Sequence, residues 1–317
     1  MLYKEGSQNG RLFLLEQANS AIVGEERVSA TRIMLTTKQK VWLASLAYRF
    51  VSAARMALGR GKVVTVNRHG LRWKLDLSEG IDFAIYLLGG FERGTLITLR
   101  KLVKPGDVVF DIGANIGAHT LALARSVGPQ GRVFAFEPAE FAFVKLKANL
   151  ALNPELRTRL FPSQTLLTAS LNDSAEAKIY ASWPLETRGS VHPKHRGRLV
   201  ETRGTTVDTL DHFAEAQGIE RLNLIKIDVD GHELPVLQGG LSVLKKFQPI
   251  LVIELSPYVH REHGHDFAAF LALLREAGYS LQDADSWKPL PLNAAKLETL
   301  IPDGASINAI AKPTARD

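Results

Sequence analysis

The chain is 317 residues long, room for two ordinary domains or one elaborated α/β domain, and its 45% hydrophobic and 23% charged content excludes wholesale disorder. Lysine and arginine outnumber aspartate and glutamate by 39 to 33, a mild and scattered excess that permits anionic partners without pointing to nucleic acid. There is no cysteine, which excludes disulfides, zinc–thiolate sites, iron–sulfur clusters and thiol nucleophiles.

Residues 1–37 are weakly patterned and read as a tail. The first thirty residues lack the charged-then-apolar order of a secretory signal, so the expected compartment is the cytoplasm. Residues 38–60 predict an amphipathic helix. At about 100° per residue, Leu43, Leu46, Ala47, Phe50, Val51, Ala54, Ala57 and Leu58 share one arc, with Ser45, Arg49, Ser52 and Arg60 opposite. Two uses of that arc stay open: packing on its own domain or a second subunit, and peripheral docking on a membrane surface. Spanning is disfavoured, because Arg49 and Arg55 would lie within the bilayer.

Two short strands follow, KVVTVN and LRWKLDL, parted by the turn-prone Arg68-His69-Gly70. FERGTLITLRKLV predicts a helix that stops before Pro105-Gly106, so residues 38–100 read as a helical and β cap and 101–317 as the main domain. From there strand and helix alternate. DVVFDIG, RVFAFEP, LNLIKIDVD and PILVIELS read as buried strands. NIGAHTLALARSV, AEFAFVKLKANLALN, a single helix over ELPVLQGGLSVLKK, and DFAAFLALLREAG read as helices, before the closing strands YSLQDA and SINAIAK. This alternation predicts an α/β doubly wound, mostly parallel sheet. Only 156–215 breaks the rhythm, with polar strand-like pieces around the basic loop of Arg188, His192, Lys194, His195, Arg196 and Arg198. Ser190 stands within that loop as a candidate acceptor contact.

The first buried strand runs into Asp111-Ile112-Gly113-Ala114-Asn115-Ile116-Gly117, directly before a helix. Glycines there permit a tight turn and a close ligand. The second strand ends in Phe136-Glu137-Pro138, twenty-four residues beyond Gly113, where a carboxylate can accept from both hydroxyls of a ribose. A dinucleotide site wants G-x-G-x-x-G so that pyrophosphate can sit on the helix end. Here Asn115 replaces the middle glycine, and Asp111 favours a cationic ligand. The layout therefore favours S-adenosyl-L-methionine, which carries an amine, a sulfonium and a ribose but no phosphate. Asp111, Gly113, Asn115, Gly117, Glu137 and Pro138 are the expected cofactor residues.

These motifs resemble the FkbM family of S-adenosylmethionine-dependent methyltransferases. The resemblance runs from about Leu71 to Lys312 through LDLSEGIDFAIYLLGGFE, KPGDVVFDIGANIG, FEP, NLALNP, TTVDTL, IKIDVDGHELPVLQGG and PILVIEL. Asp230 stands where the family usually has glutamate. The resemblance implies a Rossmann-like methyltransferase fold with a seven-stranded sheet. It also implies O-methylation of a hydroxyl on a glycan, lipid-linked sugar or secondary metabolite. A non-catalytic cofactor-binding scaffold and a nicotinamide-dependent oxidoreductase are the rival readings.

Asp111, Glu137, Asp228 and Glu254 all fall near carboxyl ends of strands, where open α/β sheets bind ligands. An alcohol attacks poorly while protonated, so a base is expected. Asp228 is the first choice, with Glu233 and Glu254 as further catalytic candidates. Lys226 shares a strand face with Asp228 and is either a contact to cofactor or acceptor or a structural partner of Asp228 or Asp111. Asp228, Asp230, Glu233 and Glu254 together are a candidate Mg2+ set, though one not favoured. His260, His263 and His265 match no metal spacing and read as a polar loop.

Overall fold

The computed structural model describes residues 37–174, 179–181, 183–186 and 197–314. Residues 1–36 of the expected tail lie outside the described residues, as do the basic-loop residues Arg188, Ser190, His192, Lys194, His195 and Arg196; Arg198 lies within them. In chain order the elements are α1 (Thr37–Ala57), the hairpin β1 (Val63–Arg68) and β2 (Leu71–Asp76), α2 (Gly80–Leu88) and α3 (Arg93–Leu102). The alternating part begins with β3 (Val108–Ile112), α4 (Thr120–Ser126), β4 (Arg132–Phe136), α5 (Glu140–Ala151) and β5 (Leu160–Ser163). Short strands β6 (Thr165–Leu167), β7 (Ile179–Ala181), β8 (Arg198–Val200) and β9 (Thr206–Asp208) make up the irregular stretch. Then come α6 (Leu210–Ala216), β10 (Leu224–Ile227), α7 (Glu233–Gln238), α8 (Leu241–Phe247) and β11 (Ile250–Leu255). The chain closes with α9 (Pro257–Glu262), α10 (Phe267–Glu276), β12 (Tyr279–Asp283), β13 (Pro289–Leu290), α11 (Ala294–Leu300) and β14 (Ile307–Pro313).

The main sheet runs in the order β13-β12-β14-β11-β10-β3-β4-β5. Strands β5, β4, β3, β10 and β11 pair in parallel, while β14 is antiparallel to both β11 and β12. The six strands read from the sequence for this sheet are all there, β5 from the irregular stretch brings the number to the seven that the resemblance implies, and the two-residue β13 adds an eighth at the edge. Every residue of β3 and β10 is buried, as a central strand covered on both faces requires. The chain runs outward from β3 to β4 and β5 and then returns on the other side of β3 to β10. The carboxyl ends of β3 and β10 therefore flank the switch point where such sheets open a crevice.

The described residues belong to one compact unit. Its hydrophobic core continues from Val41 and Tyr48 of α1 through the hairpin to Val109 and Val252 of the sheet. The hairpin is joined to the sheet layer by side-chain amides. Asn153 takes the Arg72 N–H at 2.9 Å and returns an N–H to the Arg72 carbonyl at 2.8 Å, while Asn149 takes the Lys74 N–H at 2.8 Å. Both asparagines are buried, so the free edge of β2 finds the partners that buried backbone demands. These are the two asparagines of the NLALNP segment.

Two expectations need correction. The helix over ELPVLQGGLSVLKK is two helices, α7 and α8, broken at Gly239-Gly240. A Cβ on Gly239 would stand 2.1 Å from the Thr168 carbonyl oxygen, so the break lets two backbones touch. The seam of α1 is also turned away from the arc of greatest apolarity. Val41 and Tyr48 are the buried residues, with Ala44, Ala47 and Val51 half-buried against the core. Tyr48 sets this seam: its ring meets Phe83 edge-on at 5.7 Å and its hydroxyl donates to Glu186 at 2.6 Å. Trp42, Leu43, Leu46, Phe50 and Leu58 remain exposed.

Candidate active site

Two cavities adjoin at the switch point. The smaller, about 60 Å³, is lined by Glu137, Pro138, Leu166, Leu167 and Val236 among others. The larger, about 490 Å³, runs beneath α1 and α2 and is lined by Phe91, Glu92, His119, Trp183 and Glu254 among others. Gly113, Asn115, Asp228 and Asp230 line both and form the wall between them.

The glycine-rich turn after β3 is closed upon itself. The N–H groups of Gly113 and Ala114 both donate to the Phe136 carbonyl, at 3.0 and 2.9 Å, and that of Gly117 donates to the Ala114 carbonyl at 2.9 Å. The Asn115 N–H goes to Glu137 Oε2 at 2.7 Å, and the Ile116 N–H to Asn115 Oδ1 at 2.9 Å. Each N–H from 113 to 117 is thus already engaged. Asn115 takes a φ of 48°, a left-handed conformation that asparagine adopts more readily than most residues other than glycine. Gly113, at φ 78°, is required for a second reason: a Cβ there would lie 1.9 Å from the Asp228 carbonyl oxygen. The first glycine makes room for the loop after β10 as well as for a ligand.

Glu137 is 4% exposed and accepts a second backbone N–H, from Ala139 at 2.8 Å. Burial pushes its carboxyl up to about 7, against these two hydrogen bonds, which pull it down. Asp111 is wholly buried and lines neither cavity; it accepts from the Thr120 hydroxyl at 2.6 Å and sits 3.3 Å from Lys226 Nζ. Parallel register accounts for this, since Lys226 pairs directly with Asp111 across β10 and β3. Lys226 Nζ also lies 3.3 Å from Asp228 Oδ2, so the lysine sits between two carboxylates. Burial, the largest single influence, pulls its pKa down, but Asp228, Asp111 and Glu92 together outweigh it and hold the ammonium above the ordinary lysine range.

Glu233 is drawn into the protein. It is 1% exposed, lines neither cavity, and receives the Val229 and Gly231 N–H groups at 3.3 Å each. Its Oε2 is 3.0 Å from His260 Nε2. Burial raises its carboxyl, but the His260 hydrogen bond and charge outweigh that and leave it below the ordinary range. His260 is therefore not in a polar loop, since Pro257–Glu262 is helical and His260 is fully buried, whereas His263 and His265 do lie in the turn leading into α10. His263 and His265 gather around His232, at ring separations of 4.3 and 5.6 Å.

Glu254 does face the larger cavity. Burial first, then Asp228, Asp230 and Glu92, push its carboxyl well above the ordinary range. The four carboxylates suggested for Mg2+ do not assemble, because Glu233 turns to His260. Among the described residues, the ligand atoms that come together, all within 4.8 Å of one another, belong to Glu92, His119 and Asp228. Sequence reasoning did not single out Glu92 or His119. Both lay inside quoted motifs, at the end of LLGGFE and two residues after Gly117, but neither spacing nor periodicity marks them. Burial drives the His119 imidazole well below its ordinary value, with Lys226 adding to the effect.

Among the described residues no helix is long and apolar enough to cross a membrane. A family model described as the methyltransferase FkbM domain matches residues 111–281. The chain is 29% identical to the hexuronic acid methyltransferase AglP of Haloferax volcanii, over 51% of this chain and 61% of that protein. It is 33% identical to the 31-O-demethyl-FK506 methyltransferase FkbM of Streptomyces tacrolimicus, over 43% of this chain and 60% of the relative. The matched regions thus span about six tenths of these relatives' lengths. Among solved structures, a SAM-dependent O-methyltransferase from Thermotoga maritima aligns over 83% of this chain and 82% of its own, at 15% identity and a TM-score of 0.41. With the family model covering more than half of its residues, from the strand that carries Asp111 to the strand that begins at Tyr279, the chain belongs to the FkbM methyltransferase family.

Proposed function

We propose that the chain is a cytoplasmic S-adenosylmethionine-dependent O-methyltransferase whose acceptor is a hydroxyl on a glycan, lipid-linked sugar or secondary metabolite. The observation that carries the choice of cofactor is the closed glycine-rich turn. Every N–H from 113 to 117 is spent on the protein, leaving that stretch none to offer a pyrophosphate, while a cofactor without phosphate needs none. The lining fits this group in other respects. Glu137 accepts one backbone N–H on each oxygen and keeps lone pairs for ribose hydroxyls, and Leu166, Leu167 and Val236 supply apolar surface for a base. Asp228 and Asp230 offer negative charge toward an amine or sulfonium. When bound, S-adenosylmethionine supplies an electrophilic methyl group.

The larger cavity suits the acceptor, since about 490 Å³ is the size of a small-molecule site. Two carboxylates there have different surroundings. Asp228 is held beside Lys226, whereas burial and like charges make the ionised Glu254 a stronger base than an ordinary carboxylate. We assign Glu254 to take the proton of the acceptor hydroxyl, and Asp228 with Lys226 to orient it. Glu233 acts through the loop 229–231 that it holds. The relatives named hexuronic acid methyltransferase and 31-O-demethyl-FK506 methyltransferase support an oxygen acceptor.

The division of labour proposed is a cap over 38–100 covering the cavity and a catalytic domain over 101–317. We also propose that α1 makes peripheral contact with membranes, because its exposed Trp42 and Phe50 sit on the helix whose other side, at Val41 and Ala44, lines the acceptor cavity. Calorimetry with S-adenosylhomocysteine and with NAD, followed by transfer of labelled methyl to a library of hydroxylated acceptors, tests the reading. Binding of NAD in preference to S-adenosylhomocysteine overturns the cofactor assignment. Cofactor binding without transfer to any acceptor favours the scaffold alternative.

A further inference from the structure

The larger cavity contains three groups whose arrangement the methyl transfer itself does not require. A ring nitrogen of His119 and carboxylate oxygens of Glu92 and Asp228 lie within 4.8 Å of one another. They come from three separate parts of the chain: the residue before α3, the residue before α4, and the loop after β10. His119 is 4% exposed, and its Nε2 has no hydrogen-bond partner. A buried imidazole nitrogen left without a partner costs free energy unless something occupies it. Glu92 is held in place from behind. The Asn308 amide donates to its Oε2 at 3.2 Å and the Thr95 hydroxyl to the same oxygen at 3.3 Å, and Asn308 also donates to Thr95 at 2.9 Å. This is the support that metal-ligating carboxylates receive.

Charge points the same way. Asp111 and Asp228 share the single ammonium of Lys226, and Glu92 adds a third carboxylate nearby. Asp230 and Glu254 line the same cavity, so carboxylates outnumber the buried ammonium, an excess that a divalent cation reduces. Lys40 and Arg93, which also line the cavity, are exposed to solvent and therefore screened.

We propose that Glu92, His119 and Asp228 bind a divalent transition-metal ion in the acceptor cavity. One imidazole and two carboxylates suit Mn2+, Fe2+ or Zn2+ better than Mg2+, which prefers an all-oxygen shell. Three protein ligands leave coordination positions open. An acceptor hydroxyl taking one of them would be made more acidic within the cavity that already holds Glu254. This role rests on the acceptor reading of that cavity; the binding of the ion does not.

The test uses the full-length protein with Mn2+ alone, without cofactor or acceptor. Electron paramagnetic resonance titration should give saturable binding of one ion per chain. Spin-echo modulation should report a directly bound imidazole nitrogen. His119→Ala should abolish that nitrogen signal, and Glu92→Gln, close in shape to the native side chain, should weaken binding by at least about 10–100-fold. The competing histidine cluster supplies the control: His263→Ala with His265→Ala should leave binding unchanged. No saturable binding overturns the proposal, as does unchanged affinity in Glu92→Gln, or loss of binding in the His263/His265 variant alone. Because no turnover is measured, these outcomes are separate from success or failure of the methyltransferase assay.

Discussion

Replacing Gly113 by alanine should do far more damage than the same change at Gly117. Both glycines have positive φ, 78° and 93°, so each alanine carries a left-handed backbone cost of roughly 1–2 kcal/mol. What differs is the neighbour. At Gly117 the new methyl meets Leu121 Cδ1 at 2.5 Å and Leu146 Cδ1 at 2.8 Å, the ends of side chains that can turn aside. At Gly113 it meets the Asp228 carbonyl oxygen at 1.9 Å, and that oxygen is backbone. To reach even 3.0 Å, the loop must retreat by 1.1 Å, the difference between those two distances. The Asp228 N–H bond to Ile112 (3.1 Å) and the Lys226–Asp228 pair (3.3 Å) move with it. A displacement of about 1 Å can cost about 100-fold in rate when it misplaces groups around a reaction. Gly113→Ala should therefore weaken S-adenosylhomocysteine binding by calorimetry and lower turnover by about two orders of magnitude, while Gly117→Ala shows mainly a lower melting temperature. Equal affinity and turnover in the two variants would falsify the idea that Gly113 is needed for the β10 loop.

Cofactor affinity should depend on Glu137 ionisation. Its carboxyl is raised to about 7, and only the ionised form is purely an acceptor, so S-adenosylhomocysteine binding should tighten as pH rises through about 7 and weaken about tenfold per unit below it. A flat profile from pH 6 to 8, or wild-type affinity in Glu137→Gln, removes Glu137 from the ribose site. Replacing His260 with phenylalanine should destabilise the fold by about 3–5 kcal/mol in chemical denaturation, because Glu233 is left buried without its partner. Since the Glu233 carboxyl is depressed in the folded state, its contribution is present above the unfolded-state value and lost as pH falls through the folded one; stability in the wild type should therefore drop on acidification and do so less in Glu233→Gln. Asn153→Ala should cost about 1–3 kcal/mol by stranding the Arg72 backbone groups, and a neutral result would mean water replaces the amide. Sedimentation with anionic vesicles should carry the protein down at low salt, and Trp42→Ser with Phe50→Ser should abolish this; binding unaffected by those changes excludes the exposed face of α1 as the contact.

Periodicity and turn chemistry determine most of the architecture. Apolar runs at 108–112, 132–136, 224–227 and 250–255 are each ended by turn or cap residues and separated by helical patterns, which leaves little choice but a wound parallel sheet. The glycine-rich turn proposed for the cofactor is equally local: Gly113, Asn115, Gly117 and the acid Glu137 are legible because a strand–turn–helix unit and the next strand end impose short, fixed spacings. The face of α1 was not legible, because it is apolar on more than one side and only contact with Phe83 and Glu186 selects the seam through Tyr48. Nor were the partners of the charged residues. Glu233 and Glu254 look alike in sequence, yet one is turned to a buried histidine from α9 and the other faces the cavity. Glu92 and His119 lie twenty-seven residues apart, and more than a hundred residues separate His119 from Asp228. Local pattern governs backbone hydrogen bonding and hydrophobic phase. Which carboxylate is paired and which faces the cavity depends on side chains brought together from distant segments, and that only the packing of helices and cap onto the sheet decides.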